Sequence, residues 1–201
     1  MRTGILGGTF DPVHLGHLIL AETAQEAAGL DRVLLVPTGC SYFKRDRDVT
    51  DPAIRLEMTR LAAEGNPHLF VSDVESKRPG NSYTCETLEE LHRLYPEDTL
   101  FFIIGADTLF MMPLWKDPQR IFDLADILVE TREDEIPEEK LKAQILLMEQ
   151  QYQARIHPLP VRNIEISSTE IRERVRDGRS IRYLVPQAVE DKIREQGLYC
   201  R

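Results

Sequence analysis

Short apolar runs alternate with longer amphipathic stretches along the chain. "TGILGG" reads as a buried strand, and "GHLILAETAQEAAGL" as a helix with Leu18, Leu20, Ala21, Ala24 and Ala28 near one face. "RVLLVP" (32–37) is a second strand ended by Pro37. "PAIRLEMTRLAAEG" has proline near its start and Gly65 near its end, as helix termini prefer. "HLFVSDVE" reads as a strand and "TCETLEELHRLYP" as a helix closed by Pro96. "TLFFIIGAD" is the strongest strand, apolar until it breaks into Gly-Ala-Asp. "ADILVETR" follows, and then an acidic, helical insert over about 134–154. Continuously apolar strands alternating with helices predict a parallel sheet covered on both faces. The expected fold is therefore α/β, a doubly wound, mostly parallel central sheet in a single domain over 1–201, with a small helical portion over about 167–201.

In such sheets ligands sit beyond the carboxyl ends of the strands, where the strand order reverses. The polar clusters fall there: "GGTFDPVHLGH" (7–17) after the first strand, "TGCSYFK" after "VLLVP" and "GAD" after "FFII". Gly7 and Gly8 lie where the strand must turn, and without Cβ atoms they admit a bulky ligand to the backbone. Asp11-Pro12 sets a turn, with the Asp11 carboxylate able to bond nearby amides. His14 and His17, spaced i and i+3 at a helix start, can face one anion beside the unpaired N–H groups of the helix terminus. Gly16 keeps that surface open. The spacing is not G-x-G-x-x-G, no P-loop string exists in the chain, and histidines without a nearby Cys or carboxylate make a poor zinc site. Near the other end, "ISSTEIRERVRDG" (166–178) offers Ser167, Ser168 and Thr169 at a helix start and the bidentate fork of Arg172 one turn on. Taken alone this is a well-capped helix.

Composition narrows the partners. A net charge of −9 argues against non-specific nucleic-acid or anionic-membrane binding, so any anion must be met by a local cluster of positive groups. Cys40, Cys85 and Cys200 are scattered and odd in number, which points to a reducing compartment. No apolar run approaches the roughly 20 residues of a membrane span, and "MRTGILGG" is no signal peptide. The cytoplasm is the expected location.

The string "GTFDPVHLGH" resembles the G-x-F-D-x-x-H-x-G-H signature of the nucleotidyltransferase superfamily, and "ISSTEIR" resembles its I-S-S-T-x-I-R element. "RPGNSYTCETLEEL" (78–91) and "IIGADTLFMMPLWKDP" (103–118) are similar to segments of the bacterial nicotinate-mononucleotide adenylyltransferase branch. The resemblance runs from residue 3 to about 132 and again from about 155 onward. It implies a Rossmann-like fold and adenylyl transfer from ATP to nicotinate mononucleotide, with pyrophosphate released and Mg²⁺ carried on the ATP phosphates. By the same resemblance Gly7, Gly8, Thr9 and Phe10 line the nucleotide. His14, His17, Lys44 and Arg172 contact phosphates, with Ser167, Ser168 and Thr169 at the β- and γ-phosphates. Gly105 and Asp107 lie beside the nucleotides, Tyr83 and Thr84 present backbone groups to the pyridine carboxylate, Trp115 stacks on the ring, and Arg132 lies near the substrate. Backbone N–H donors match a carboxylate better than an amide, which favours the acid.

The chain departs from the family pattern in the loop "SYFK", where Phe43 replaces a histidine, with Lys44, Arg45 and Arg47 nearby. The usual Arg-Pro-Gly after "ILVETR" is absent, and the acidic segment is lengthened. Other readings are a related branch, such as a phosphopantetheine adenylyltransferase or a cytidylyltransferase, and a nucleotide-binding regulator without turnover. Oligomeric state is open.

Overall fold

The computed structural model describes residues 1–41, 49–131, 136–161 and 164–200. Lys44, Phe43, Arg45, Arg47 and Arg132 lie outside them. Six strands form one sheet: β1 (Arg2–Gly8), β2 (Arg32–Pro37), β4 (Leu69–Val71), β6 (Thr99–Gly105), β7 (Ala125–Thr131) and β8 (Ile156–Pro160). Their order is β4-β2-β1-β6-β7-β8, and every pairing is parallel. Between them β3 (Cys40–Ser41) pairs in parallel with β5 (Asn81–Ser82) as a separate two-stranded piece.

The central strands are buried on both faces because helices cover both. On one face α3 (Thr84–Leu94), α4 (Ala106–Met111), α5 (Pro118–Leu124) and α6 (Glu138–Tyr152) pack Leu88, Leu109, Phe122 and Met148 against Ile5, Phe102 and Ile127. On the other, α1 (Leu15–Ala27), α2 (Pro52–Ala63), α7 (Ser168–Arg176) and α8 (Gln187–Glu195) bring Ala24, Met58, Ile171 and Ile193 to Leu6, Leu35 and Phe101. This two-faced burial is why the strands read as unbroken apolar runs. On α1, Ala21 and Ala24 are buried and Leu18, Leu20 and Ala28 pack at their edge, the face expected from the pattern.

Elements differ from expectation at the sheet edges. "HLFVSDVE" forms a strand only at Leu69–Val71, since an edge strand has one partner and Phe70 is left half exposed. β8, "IHPLP", gives no strand signal because of Pro158 and Pro160; it is the opposite edge, where a missing N–H costs no ladder bond. The acidic insert is α6, the crossover helix between β7 and β8, holding Leu141 and Met148 in the core.

The chain moves from β1 to β2 and β4 on one side, then crosses to β6 on the other. The strand order therefore reverses between β1 and β6, and the cleft beyond their carboxyl ends is where such a sheet receives a ligand.

Candidate active site

The turn after β1 is shaped by packing. Phe10 is buried and sits at φ 49°, in the left-handed region, with its ring beneath Gly8. A Cβ on Gly8 would lie 2.8 Å from that ring, so glycine is required there. A Cβ on Gly16 would meet His14 Nδ1 at 3.1 Å, so Gly16 makes room for the imidazole as well as leaving the surface open.

His14 and His17 come together as expected. Their rings stack at 3.6 Å between centroids, and Phe10 meets His17 edge-on at 4.9 Å. The His14 backbone N–H donates to His17 Nδ1 at 3.2 Å, which leaves the proton of a neutral His17 on Nε2, a hydrogen-bond donor without positive charge. Burial lowers the His14 imidazole to about 4 and holds His17 well below its ordinary value, with a further contribution from His14. Both rings are therefore neutral near pH 7 in the unliganded chain. His14 Nδ1 is buried and has no hydrogen-bond partner among the described residues. One helix-end donor is not available: the Leu15 N–H already bonds the Leu184 carbonyl at 2.9 Å.

These values imply a pH dependence of stability. Between about 6.5 and about 4 the unfolded chain binds protons that the folded His14 does not. Stability is thus present above the unfolded value and lost as pH falls through that window, by on the order of 3 kcal/mol from His14. Glu75, whose carboxyl is pushed up by burial, contributes the opposite slope, losing stability as pH rises through its folded value. Melting curves from pH 7 to 4.5 should show His14→Gln flattening the acid-side loss; an unchanged slope would refute the buried neutral ring.

The second motif docks on the first. Ser167 caps α7, its Oγ accepting from the Glu170 N–H at 3.1 Å. Ser168 Oγ donates to the Pro12 carbonyl at 2.9 Å, and Arg172 Nη1 donates to the Asp11 carbonyl at 2.7 Å. Arg172 Nη2 approaches Thr169 Oγ1 at 3.4 Å. The arginine and the imidazole pair thus share one turn although they are about 160 residues apart in sequence.

A cavity of about 500 Å³ opens beside this turn, between Gly7–Thr9 at the end of β1 and Tyr83–Thr84 at the start of α3. Trp115 forms part of its wall, its ring 6.3 Å from and 64° to that of Phe102. Asp107 is exposed in the first turn of α4; Gly105 is the N-cap, so Asp107 does not cap this helix. His14, His17, Asp107 and Arg172 are not among the cavity's walls, so the cleft has two regions, a roomy pocket and a polar turn beside it.

Several residues at the site escape a sequence reading. Arg55 is 1% exposed and donates to the carbonyls of Thr9 (2.6 Å), Thr50 (2.8 Å) and Gly39 (2.9 Å). Its signal was an arginine on the buried stripe of α2 with Met58, Thr59 and Ala63. Glu75 lines the cavity and accepts from Thr87 Oγ1 at 2.8 Å. A Cβ on Gly39 would come within 2.3 Å of the Glu75 carbonyl, so the loops after β2 and β4 meet there. Lys116 lies at the cavity wall with Nζ 2.6 Å from Glu86 and 4.4 Å from the centre of the Tyr83 ring. Neither Glu75 nor Lys116 carries a local pattern that distinguishes it.

A cytidylyltransferase-like family model matches residues 5–174. A Dehalococcoides mccartyi protein named "Probable nicotinate-nucleotide adenylyltransferase" is 40% identical over 213 residues, covering 100% of this chain and 98% of its own. One of the same name from Thermomicrobium roseum is 43% identical over 199 residues, covering 98% and 91%. The fold is shared with Plasmodium falciparum nicotinic acid mononucleotide adenylyltransferase complexed with NaAD, at a TM-score of 0.79 and 18% identity over 98% of this chain and 97% of that one. Identity at this level along the whole length, together with the paired histidine and Ser-Ser-Thr motifs on one turn, makes the chain a member of the nicotinate-nucleotide adenylyltransferase family.

Proposed function

We infer that this chain is an enzyme that transfers the adenylyl group of ATP to the phosphate of nicotinate mononucleotide, forming nicotinate adenine dinucleotide and pyrophosphate. The observation that carries the reading is the two-part cleft: the polar turn bearing His14, His17 and Arg172 adjoins a 500 Å³ cavity walled by Tyr83, Thr84 and Trp115. A triphosphate suits the first and a mononucleotide the second. The residues span the chain, which supports residues 1–201 acting as one catalytic unit.

The acceptor phosphate has a second pKa of ~6 and is largely dianionic near neutrality, so it needs no general base. It attacks the α-phosphorus in line, the bond to the β-phosphate bridging oxygen breaks, and pyrophosphate leaves with that electron pair. The obstacle is repulsion between polyanions, so the protein contributes positioning and local donors. Arg172 keeps its guanidinium on the turn through Asp11 while offering its remaining N–H groups to the β- and γ-phosphates. Ser167, Ser168 and Thr169 begin α7 beside it. His17 Nε2–H donates as a neutral group, and Lys44 adds charge. Thr84 opens α3, where backbone N–H groups suit the pyridine carboxylate and Trp115 gives its ring a flat apolar face. Gly7, Gly8 and Thr9 line the cavity on the side of the turn, with Asp107 near the ribose hydroxyls; Arg132, which the family resemblance assigns to the mononucleotide, lies outside the described residues.

Among the described residues no group of three or more His, Cys, Asp or Glu could hold a metal ion. The imidazoles, hydroxyls and backbone donors at the turn do not fit a hard divalent cation of the protein's own, which prefers carboxylate and carbonyl oxygens. Magnesium instead enters on ATP, where it lowers the charge of the triphosphate. No helix among the described residues is long and apolar enough to cross a membrane.

The test is pyrophosphate release with ATP and either nicotinate or nicotinamide mononucleotide, with the dinucleotide identified by mass. Rapid release with the acid and slow release with the amide is expected. Activity only with phosphopantetheine or with CTP, or ATP binding without any product, would overturn the reading.

A further inference from the structure

Asp11 belongs to the phosphate turn, yet it is 3% exposed, so its carboxylate cannot meet a ligand directly. Both of its oxygens are held from inside the protein. Oδ2 accepts the Thr50 N–H at 3.2 Å, and Oδ1 accepts the Tyr199 hydroxyl at 2.6 Å across 188 residues. The Asp11 carbonyl is the group that holds Arg172.

Tyr199 reaches this position through a particular backbone path. After α8 the chain is reversed by Gly197 at φ 59°, with the Gly197 N–H bonded to Arg194 and the Leu198 N–H to Ile193. Tyr199 itself stands at φ 64°, a strained conformation for a non-glycine residue that persists where its surroundings over-determine it. Here the determinants are packing against the core on the α1–α2 face of the sheet and the hydroxyl bond to Asp11. α8 is held against α2 by Lys192 Nζ and Glu57 at 2.6 Å.

We propose that Tyr199 is a positioning residue for the triphosphate: by fixing the Asp11 carboxylate it sets the carbonyl that aims Arg172, so the segment after α8 is part of the phosphate site. The proposal rests on the adenylyl-transfer reading for the identity of the anion. The chain of contacts runs Tyr199 hydroxyl, Asp11 carboxylate, Asp11 carbonyl, Arg172 guanidinium. Asp11, Arg172 and Tyr199 are not among the described residues that wall the cavity with Tyr83, Thr84 and Trp115. A defect confined to one substrate therefore distinguishes positioning from a general loss of stability.

The experiment measures ATP and nicotinate mononucleotide affinities by calorimetry, with kcat and each KM, for the wild type, Tyr199→Phe, Asp11→Asn and the double variant. Tyr199→Phe keeps the ring and its packing. It should weaken ATP binding and lower kcat about tenfold, the loss of one bond to a charged group, while mononucleotide affinity stays within about twofold. Asp11→Asn should show the same selectivity. In that background Tyr199→Phe should cost less than about twofold more, because residues acting through one contact are not additive. Equal losses for both substrates, full additivity, or unchanged ATP affinity in either single variant would overturn the proposal. Should Tyr199→Phe not fold, Asp11→Asn alone decides it. If the wild type binds ATP but makes no dinucleotide, the adenylyl-transfer reading falls, while the ATP arm still judges Tyr199.

Discussion

Replacing His17 with alanine should lower turnover by on the order of 10²–10³-fold, the usual loss when one preorganised donor to a developing charge is removed. The reason lies in how its proton is placed. With Nδ1 occupied by the His14 N–H, the neutral ring keeps its hydrogen on Nε2, so no protonation step precedes donation to a phosphate oxygen. Its position is braced by the stacked His14 ring and by Phe10 at its edge, so little reorganisation accompanies the reaction. His17→Gln, which retains an N–H donor on a longer and looser side chain, should recover part of the loss. Steady-state kinetics with a thermal melt on each variant is the check. A fully active alanine variant would remove His17 from the mechanism, and a collapsed melt would reassign it to structure.

Arg55→Met should destabilise the protein by about 3–5 kcal/mol, the cost of leaving several buried carbonyls without a donor. For a chain of this length that lowers Tm by about 10 °C. A single guanidinium spans the carbonyls of Thr9, Thr50 and Gly39, which belong to the loops following β1 and β2 and the approach to α2. Burial alone pulls its pKa down, and the surrounding carboxylates of Asp11, Asp51 and Glu75 act in the opposite direction. Methionine fills the volume but leaves those carbonyls without this donor, each a cost of about 1–3 kcal/mol when water cannot replace it. Urea unfolding of Arg55→Met and Arg55→Lys is the measurement. Lysine should recover only part of the loss, because one ammonium cannot match the fork of three bonds. A shift of less than about 1 kcal/mol for methionine would mean that water reaches these groups.

The structure also separates two uses of arginine in a chain whose net charge is −9. Arg172 sits on the turn with part of its guanidinium still able to meet a ligand, while Arg55 is enclosed beneath it. Under the proposed function the half-buried Arg172 meets the substrate, while the enclosed Arg55 holds the Thr9 and Gly39 backbone.

The order of local elements was legible in the residues themselves. β2 matches "RVLLVP", and α2 begins at Pro52 behind the capping Asp51, whose carboxylate accepts the Ala53 N–H at 2.8 Å. Apolar runs long enough to fill a two-sided sheet, and glycine or proline at their ends, need no tertiary information to be recognised. The motif residues His14, His17 and Arg172 were legible for the same reason: their spacing, i to i+3 or one turn past a cap, is local. The edges were read less well: β4 was expected but is cut to Leu69–Val71, and β8 owes its extended form to its one neighbour rather than to its own pattern.

What only the tertiary structure decided is which groups complete the site. Glu75, Arg55 and Tyr199 look in sequence like a loop carboxylate, a helix charge and a residue in a polar segment. Each gains its role from a partner on another element, 12, 46 and 188 residues away: Thr87, the Thr9 carbonyl and the Asp11 carboxylate. Periodicity records which face of an element is buried, whereas a hydrogen bond between distant segments leaves no periodic trace. The apolar pattern determined that a sheet would form with its polar turns at one end; folding alone determined that Tyr199 would close on the turn His14 begins.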